Sequence, residues 1–177
     1  MKYFLPVVVG CVVSLCAAHG QPQMHPKGSA LPFVHQGPFV TTAGGGVLCI
    51  NAKNALRSHD DGRTWSSTPL FAQEEKFSVR DERALLQSRE GVIVAAWINE
   101  VERRAPQGWR WGGTDVSWKD FVLPMYVCRS LDGGKTWETP VKLSEPWCGC
   151  VHSLIQMRSG RLVLWGRRSS PSGVMPR

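Results

Sequence analysis

The sequence predicts an all-β protein built from repeated antiparallel hairpins, and three observations predict it. First, residues 39–50, 85–97 and 154–165 each read as an apolar run, a polar turn through a glycine (Gly46, Gly91 and Gly160) and a second apolar run. Runs rich in Val, Ile and Leu around a glycine able to take positive φ are hairpin signals, and none of the three carries helical periodicity. Second, two of these hairpins are followed by the same eight-residue element. Third, the 177 residues include 18 Gly, 12 Pro and 8 Trp, a composition suited to tight turns and short strands.

The hairpins begin only after a leader. Lys2 precedes an almost unbroken apolar run from Phe4 to Cys16, and Ala18-His19-Gly20 places small residues where a signal peptidase reads. Residues 1–20 are therefore expected to be a signal peptide cleaved before Gln21, with export to the periplasm or outside the cell. The alternative is a membrane anchor, but the run is short of the roughly 20 apolar residues a span needs, so no stable membrane span is expected after cleavage. Residues 21–36, with Pro22, Pro26 and Gly28, read as a linker.

Composition narrows the partners. With 42% hydrophobic and 20% charged residues the chain is globular rather than disordered. Its formal net charge of +7 falls to +6 when the leader and Lys2 are removed. The positive residues are scattered, with no block of five, so nucleic acid is not expected; an anionic sugar or surface stays open as a partner. Cys49, Cys128, Cys148 and Cys150 lie beyond the leader. Export permits disulfides, and buried apolar packing, a disulfide and metal binding all remain open for these thiols. Cys148 and Cys150 are poorly spaced to bridge each other, and no zinc-finger spacing accompanies them. No pattern calls for a metal or a cofactor.

The shared element is Ser58-His59-Asp60-Asp61-Gly62-Arg63-Thr64-Trp65 in one copy and Ser130-Leu131-Asp132-Gly133-Gly134-Lys135-Thr136-Trp137 in the other. Both fit S-x-D-x-G-x-T-W. The carboxylate can accept bonds from turn amides, the glycine permits a left-handed residue, and Thr and Trp lead into the outgoing strand. The Trp then offers a large apolar surface to neighbouring strands. Two copies, each after the same kind of hairpin, resemble the Asp-box (BNR-repeat) family and the sialidases within it, over about residues 37–177.

That resemblance implies a β-propeller whose blades are four-stranded meanders. Blade one spans about 38–70, blade two about 83–143, and a third begins near His152 and runs toward 177. Gly46 precedes Asp60 by 14 residues, and the same offset from Gly160 falls near position 174, where no third box is present. Sialidase propellers have six blades; this sequence supplies about two and a half. The expected fold is thus an incomplete six-bladed, sialidase-like propeller, from a fragment, a truncated gene or a decayed paralogue.

In such a meander the Asp boxes join strands three and four. The loops joining strands two and three, and one blade to the next, lie at the other end, which in sialidases is the substrate face. Ser58, Asp60, Gly62, Trp65, Ser130, Asp132, Gly134 and Trp137 are therefore read as structural. The substrate-face loops carry His35 and Gln36, then Arg80, Asp81, Glu82 and Arg83 between blades. An insertion over about 99–121 carries Glu100, Glu102, Arg103, Trp111, Asp115, Trp118 and Asp120. Trp147, Cys148, Cys150 and His152 follow, then Arg167 and Arg168. Guanidinium groups bind carboxylates bidentately, and Trp faces stack on sugar rings. The other reading of each residue is an ordinary loop charge or a buried Trp.

The resemblance implies an exo-α-sialidase-like glycoside hydrolase acting on terminal acidic sugars. Asp115 or Asp120 is the candidate acid/base, and Arg80, Glu82, Arg83, Trp111 and His152 are candidate sugar contacts. Two positions depart from the family. Gln36 stands where the Arg of its Phe-Arg-Ile-Pro segment is expected, and residues 51–54 hold no Asp. The nucleophilic Tyr of sialidases belongs to later blades, and Tyr126 lies within an expected strand. The chain is accordingly expected to be inactive alone. The alternative is a non-catalytic exported Asp-box propeller that binds glycans or a protein.

Overall fold

The computed structural model describes residues 25–28, 30, 34–105, 107, 121–144 and 150–167. The chain divides into two compact units, Met1–Ala30 and Leu31–Arg177. In the first, residues 25–28 form a turn closed by the Gly28 amide donating to the His25 carbonyl at 2.7 Å.

The second unit is all-β among its described residues, and every strand pairing is antiparallel. One four-stranded meander runs β1 (Val40–Thr41), β2 (Val47–Ile50), β3 (Asn54–Ser58) and β4 (Ser66–Pro69). A second runs β5 (Val79–Gln87), β6 (Ile93–Asn99), β7 (Met125–Ser130) and β8 (Val141–Ser144). A hairpin follows, β9 (Cys150–Gln156) with β10 (Leu162–Arg167).

Strand β6 explains why the sheets stack. All seven of its residues are buried, so both of its faces need apolar partners, as an interior strand does. Alternation sends Ile93, Ala95 and Trp97 one way, into a core shared with Leu48, Ile50 and Ala55 of the first meander and Leu70 and Phe71 beyond it. It sends Ala96 and Ile98 the other way, against Val151, Leu154 and Leu164 of the β9–β10 hairpin. β7 divides likewise, with Tyr126 and Cys128 toward the first meander and Met125 and Val127 toward the hairpin.

Polar contacts fix the sheets in parallel alignment. The Val79 amide donates to the Ala52 carbonyl at 2.7 Å, joining the β2–β3 turn to the start of β5. At the other end the Arg89 amide donates to Gln156 Oε1 at 2.8 Å, and its Nη2 donates to the Met157 carbonyl at 2.6 Å. The β5–β6 and β9–β10 turns therefore share one end.

The three hairpin turns are equivalent, but not through the glycines the sequence suggests. In each, the amide of the first turn residue donates to a carbonyl four positions on, as in Thr42 to Gly46, Ser88 to Val92 and Met157 to Arg161. The left-handed glycines are Gly45, Gly91 and Gly160. Gly46 is not one of them and matches Val92. It is held to glycine for another reason, since a Cβ there would lie 2.5 Å from the Ser58 carbonyl oxygen.

Both octapeptides form the same hydrogen-bonded corner. Ser58 Oγ donates to Asp60 Oδ1 and accepts from the Gly62 amide, each at 2.8 Å. Asp60 then accepts from the Thr64 amide at 2.8 Å and from Thr64 Oγ1 at 2.7 Å. Ser130, Asp132, Gly134 and Thr136 repeat the set at 2.6–2.9 Å. In each box two successive residues are left-handed: Asp61 and Gly62 in the first, Gly133 and Gly134 in the second. The Trp side chains differ. Trp65 Nε1 donates to the Gly62 carbonyl at 2.9 Å and its ring meets His35 edge-on at 4.8 Å. Trp137 packs against the core between the meanders, with Nε1 buried and without a bonded partner among the described residues.

These bonds make the corners acid-sensitive. The amide and hydroxyl of Thr64, with Ser58, hold the Asp60 carboxyl down at about 2. Burial acts to raise Asp132, but Thr136, Ser130 and Lys135 outweigh it and hold that carboxyl well below the usual range. A carboxyl depressed in the folded state contributes stability above its unfolded value, near 3.9. That stability is lost as pH falls through the folded value. Urea-unfolding midpoints should therefore drop between about pH 4 and pH 2, and less steeply in Asp60→Asn and Asp132→Asn.

Candidate functional site

At the end of the second meander away from its Ser130–Thr136 corner, the strands carry a cluster of charges. The pairings Val79 with Asn99, Ile98 with Met125 and Met125 with Ser144 bring the start of β5, the end of β6, the start of β7 and the end of β8 together. Ser130 and Asp132 lie at the opposite end, beside Ile93.

Arg80, Asp81, Glu82 and Arg83 are not loop residues, as the sequence suggests. They belong to β5. A register shift sets Arg80, Asp81 and Glu82 against the single residue Ile98 between the Val79–Asn99 and Arg83–Trp97 pairs. Such a bulge admits charged side chains into a strand by turning them off the packed faces. Arg80 donates through Nε to Glu82 and through Nη1 to Glu100 Oε2 at 2.9 Å. Arg103 Nε donates to the other Glu100 oxygen at 2.7 Å. Burial acts to lower the Arg80 pKa, but the two carboxylates raise it; Glu100 is lowered because its arginines outweigh its burial.

Arg83 is different. Its side chain is 5% exposed. Nη2 donates to the Gln36 carbonyl at 3.1 Å, and Nη1 lies 3.5 Å from the exposed carboxylate of Asp81. Its Nε is buried without a partner among the described residues. Gln36, at the position the family resemblance gives to an arginine, thus contributes its backbone oxygen to Arg83.

A second group stands beside the first. Asn99 is fully buried. It accepts from the Ser78 amide at 2.9 Å, and its Nδ2 donates to the Lys76 carbonyl at 2.9 Å and to Glu102 Oε1 at 3.0 Å. Glu102 also accepts from the Tyr126 hydroxyl and, at 2.8 Å, from Lys142 Nζ. Burial pushes the Tyr126 phenol up, and its bond to Glu102 adds to the rise; burial opposes the lowering of Glu102 that Lys142, Tyr126 and Asn99 produce. The roles of Asn99 and Lys142 went unread in the sequence, where Glu102 was read only as a charge of the insertion. An Asn closing an all-apolar strand was the one available signal.

Arg104 and Val122 exchange backbone bonds of 3.0 and 3.1 Å, pinching the neck of the insertion. Trp111, Asp115, Trp118 and Asp120 fall in that insertion, and with Trp147, Cys148 and Arg168 they lie outside the described residues. His152 belongs to β9 rather than to a loop. There its ring packs on Trp165 with centroids 4.4 Å apart.

No protein-family model matches the chain, and no curated protein does. Solved structures do. One is a protein of unknown function from Dyadobacter fermentans, 21% identical with a TM-score of 0.47 over 71% of this chain and 32% of that one. Another is a Hadza microbial sialidase, 20% identical with a TM-score of 0.47 over 71% of this chain and 30% of that one. The chain spans about a third of the length of these structures.

Proposed function

We propose that this chain is part of an Asp-box β-propeller of the sialidase kind, and that the propeller acts on a terminal acidic sugar. One observation carries the reading: the same Ser–Asp–Gly–Thr corner closes the outer hairpin of two successive four-stranded meanders. The meanders are then blades one and two, the β9–β10 hairpin opens a third, and residues 1–20 direct export. The end away from the corners is the binding end. Arg83, nearly buried and with Nε unpartnered among the described residues, is the cation best placed to hold a sugar carboxylate. Arg80, Glu82, Trp111 and His152 complete the contacts, and Asp115 or Asp120 supplies acid/base chemistry.

A specific observation favours a second reading, a propeller that captures acidic glycans without cleaving them. Residues 51–54, at the β2–β3 turn, hold no Asp to act as acid/base, and Gln36 stands where the resemblance expects an arginine.

Ligand-observed NMR with a methyl sialoside tests the shared part. The sialoside should bind and a methyl galactoside should not, and Arg83→Ala should weaken binding by about tenfold or more. Equal signals from both sugars would end the proposal. A fluorogenic sialoside offered to a full-length homologue separates the readings. In the enzyme, replacing the Asp at the position of Asp115 or Asp120 by Asn should lower turnover by about 10²-fold or more, whereas a full-length homologue that binds without turnover is the capture protein.

A further inference from the structure

We propose that Cys150 is a nucleophilic thiol served by His152 as its base, forming a site of exchange with low-molecular-weight disulfides. Cys150 Sγ lies 2.8 Å from His152 Nε2. At that separation the imidazole stands where a base for the thiol must stand, and the thiolate is the attacking form in disulfide exchange.

The local fold holds this pair together. The β9–β10 register pairs Ser153 with Trp165 and Val151 with Gly166, so His152 is the extra residue of a bulge. Bulges redirect side chains, and here the imidazole rests over Trp165, with ring planes 33° apart, while Nε2 meets the sulfur. His152 is exposed and Cys150 half-buried. Cys49 and Cys128 contrast with it. Both are buried, and burial pushes both thiols up, Cys128 to about 12.

The step balances without a further oxidant. His152 takes the Sγ proton, and the thiolate attacks one sulfur of R–S–S–R. The S–S bond of the reagent breaks as Cys150–S–S–R forms, and the departing thiolate takes the proton back from the imidazolium.

The test uses the full chain with dithiobis(nitrobenzoate), an aromatic disulfide that releases a coloured thiolate, with the labelled peptide identified by mass spectrometry. Among the described cysteines one fast-reacting thiol is expected, on Cys150. It should vanish in Cys150→Ser, persist in Cys148→Ser, and slow by about tenfold or more at pH 7 in both His152→Ala and His152→Gln. In concentrated urea the His152 variants and the parent should react at equal rates, which ties the difference to the folded pair. Fast labelling at Cys49 or Cys128, or unchanged rates in the His152 variants, would overturn the proposal.

Discussion

Replacing Gly134 with alanine should cost about 2–5 kcal/mol of folding stability, from two separable causes. The glycine has φ of +86°, where a Cβ meets backbone strain of about 1–2 kcal/mol. The Cβ would also stand 2.2 Å from Leu48 Cδ1, a side chain of the first meander with no exposed surface. Forcing extra volume into such a packed site typically costs about 1–3 kcal/mol more. Gly133 is the internal control. It too is left-handed, with φ of +72°, but a Cβ there meets open space. Gly133→Ala should therefore show the strain alone, about 1–2 kcal/mol. Urea titrations of the two variants side by side measure the difference. Equal losses would mean that Leu48 is not seated against the Ser130–Thr136 corner.

Trp97→Ala should be at least as damaging, at about 3–5 kcal/mol. Trp97 is the largest fully buried side chain among the described residues. Its ring lies 5.4 Å from that of Phe71 and 6.3 Å from that of Tyr126, so it spans the two meanders and anchors the strand both cores share. Truncation leaves a cavity whose walls, sheets on either side, cannot easily collapse. Trp97→Phe separates packing from polarity. Because Nε1 has no bonded partner among the described residues, phenylalanine forfeits no hydrogen bond there and should cost well under half as much. Thermal unfolding followed by calorimetry reads both.

The parts of this fold that were legible in the sequence are those fixed by local chemistry. A Ser, an Asp, a Gly and a Thr at fixed spacing close a corner through their own bonds, so Asp60 and Asp132 declare their role without reference to the rest of the chain. The hairpin turns were nearly as plain, but three successive glycines made Gly45 and Gly46 interchangeable by pattern. Only the turn bonds and the approach of the Ser58 carbonyl separate them. Non-local features stayed hidden. Arg80 and Glu100 are 20 positions apart, and Glu102 and Lys142 are 40. The bulge that carries Arg80 to Glu82 within β5 has no turn residue to mark it, and a run of charges reads as a loop. Cys150 and His152 were each noted as loop residues, but their pairing depends on a bulge against β10 that no one-dimensional pattern displays.

The charged end illustrates what such hidden pairings do to a functional reading. By composition the arginines there look available for an anion. In place, Arg80 is divided between two carboxylates, while Arg83 has only a carbonyl, a long contact to the Arg80 carbonyl and an exposed Asp81. The two positions should respond differently to substitution. Loss of Arg80 leaves two half-buried carboxylates facing each other, so its first effect is on stability. Loss of Arg83 removes the cation proposed for the ligand.

The packing of one meander's face on the next one's corner underlies the whole account, and a double-mutant cycle between Leu48 and Gly134 tests it most directly. With Leu48 shortened to alanine, the Gly134→Ala methyl gains room, and the second substitution should cost about 1–3 kcal/mol less than it does in the parent chain. Additive losses, agreeing within about 0.5 kcal/mol, would contradict the stacking of the two sheets.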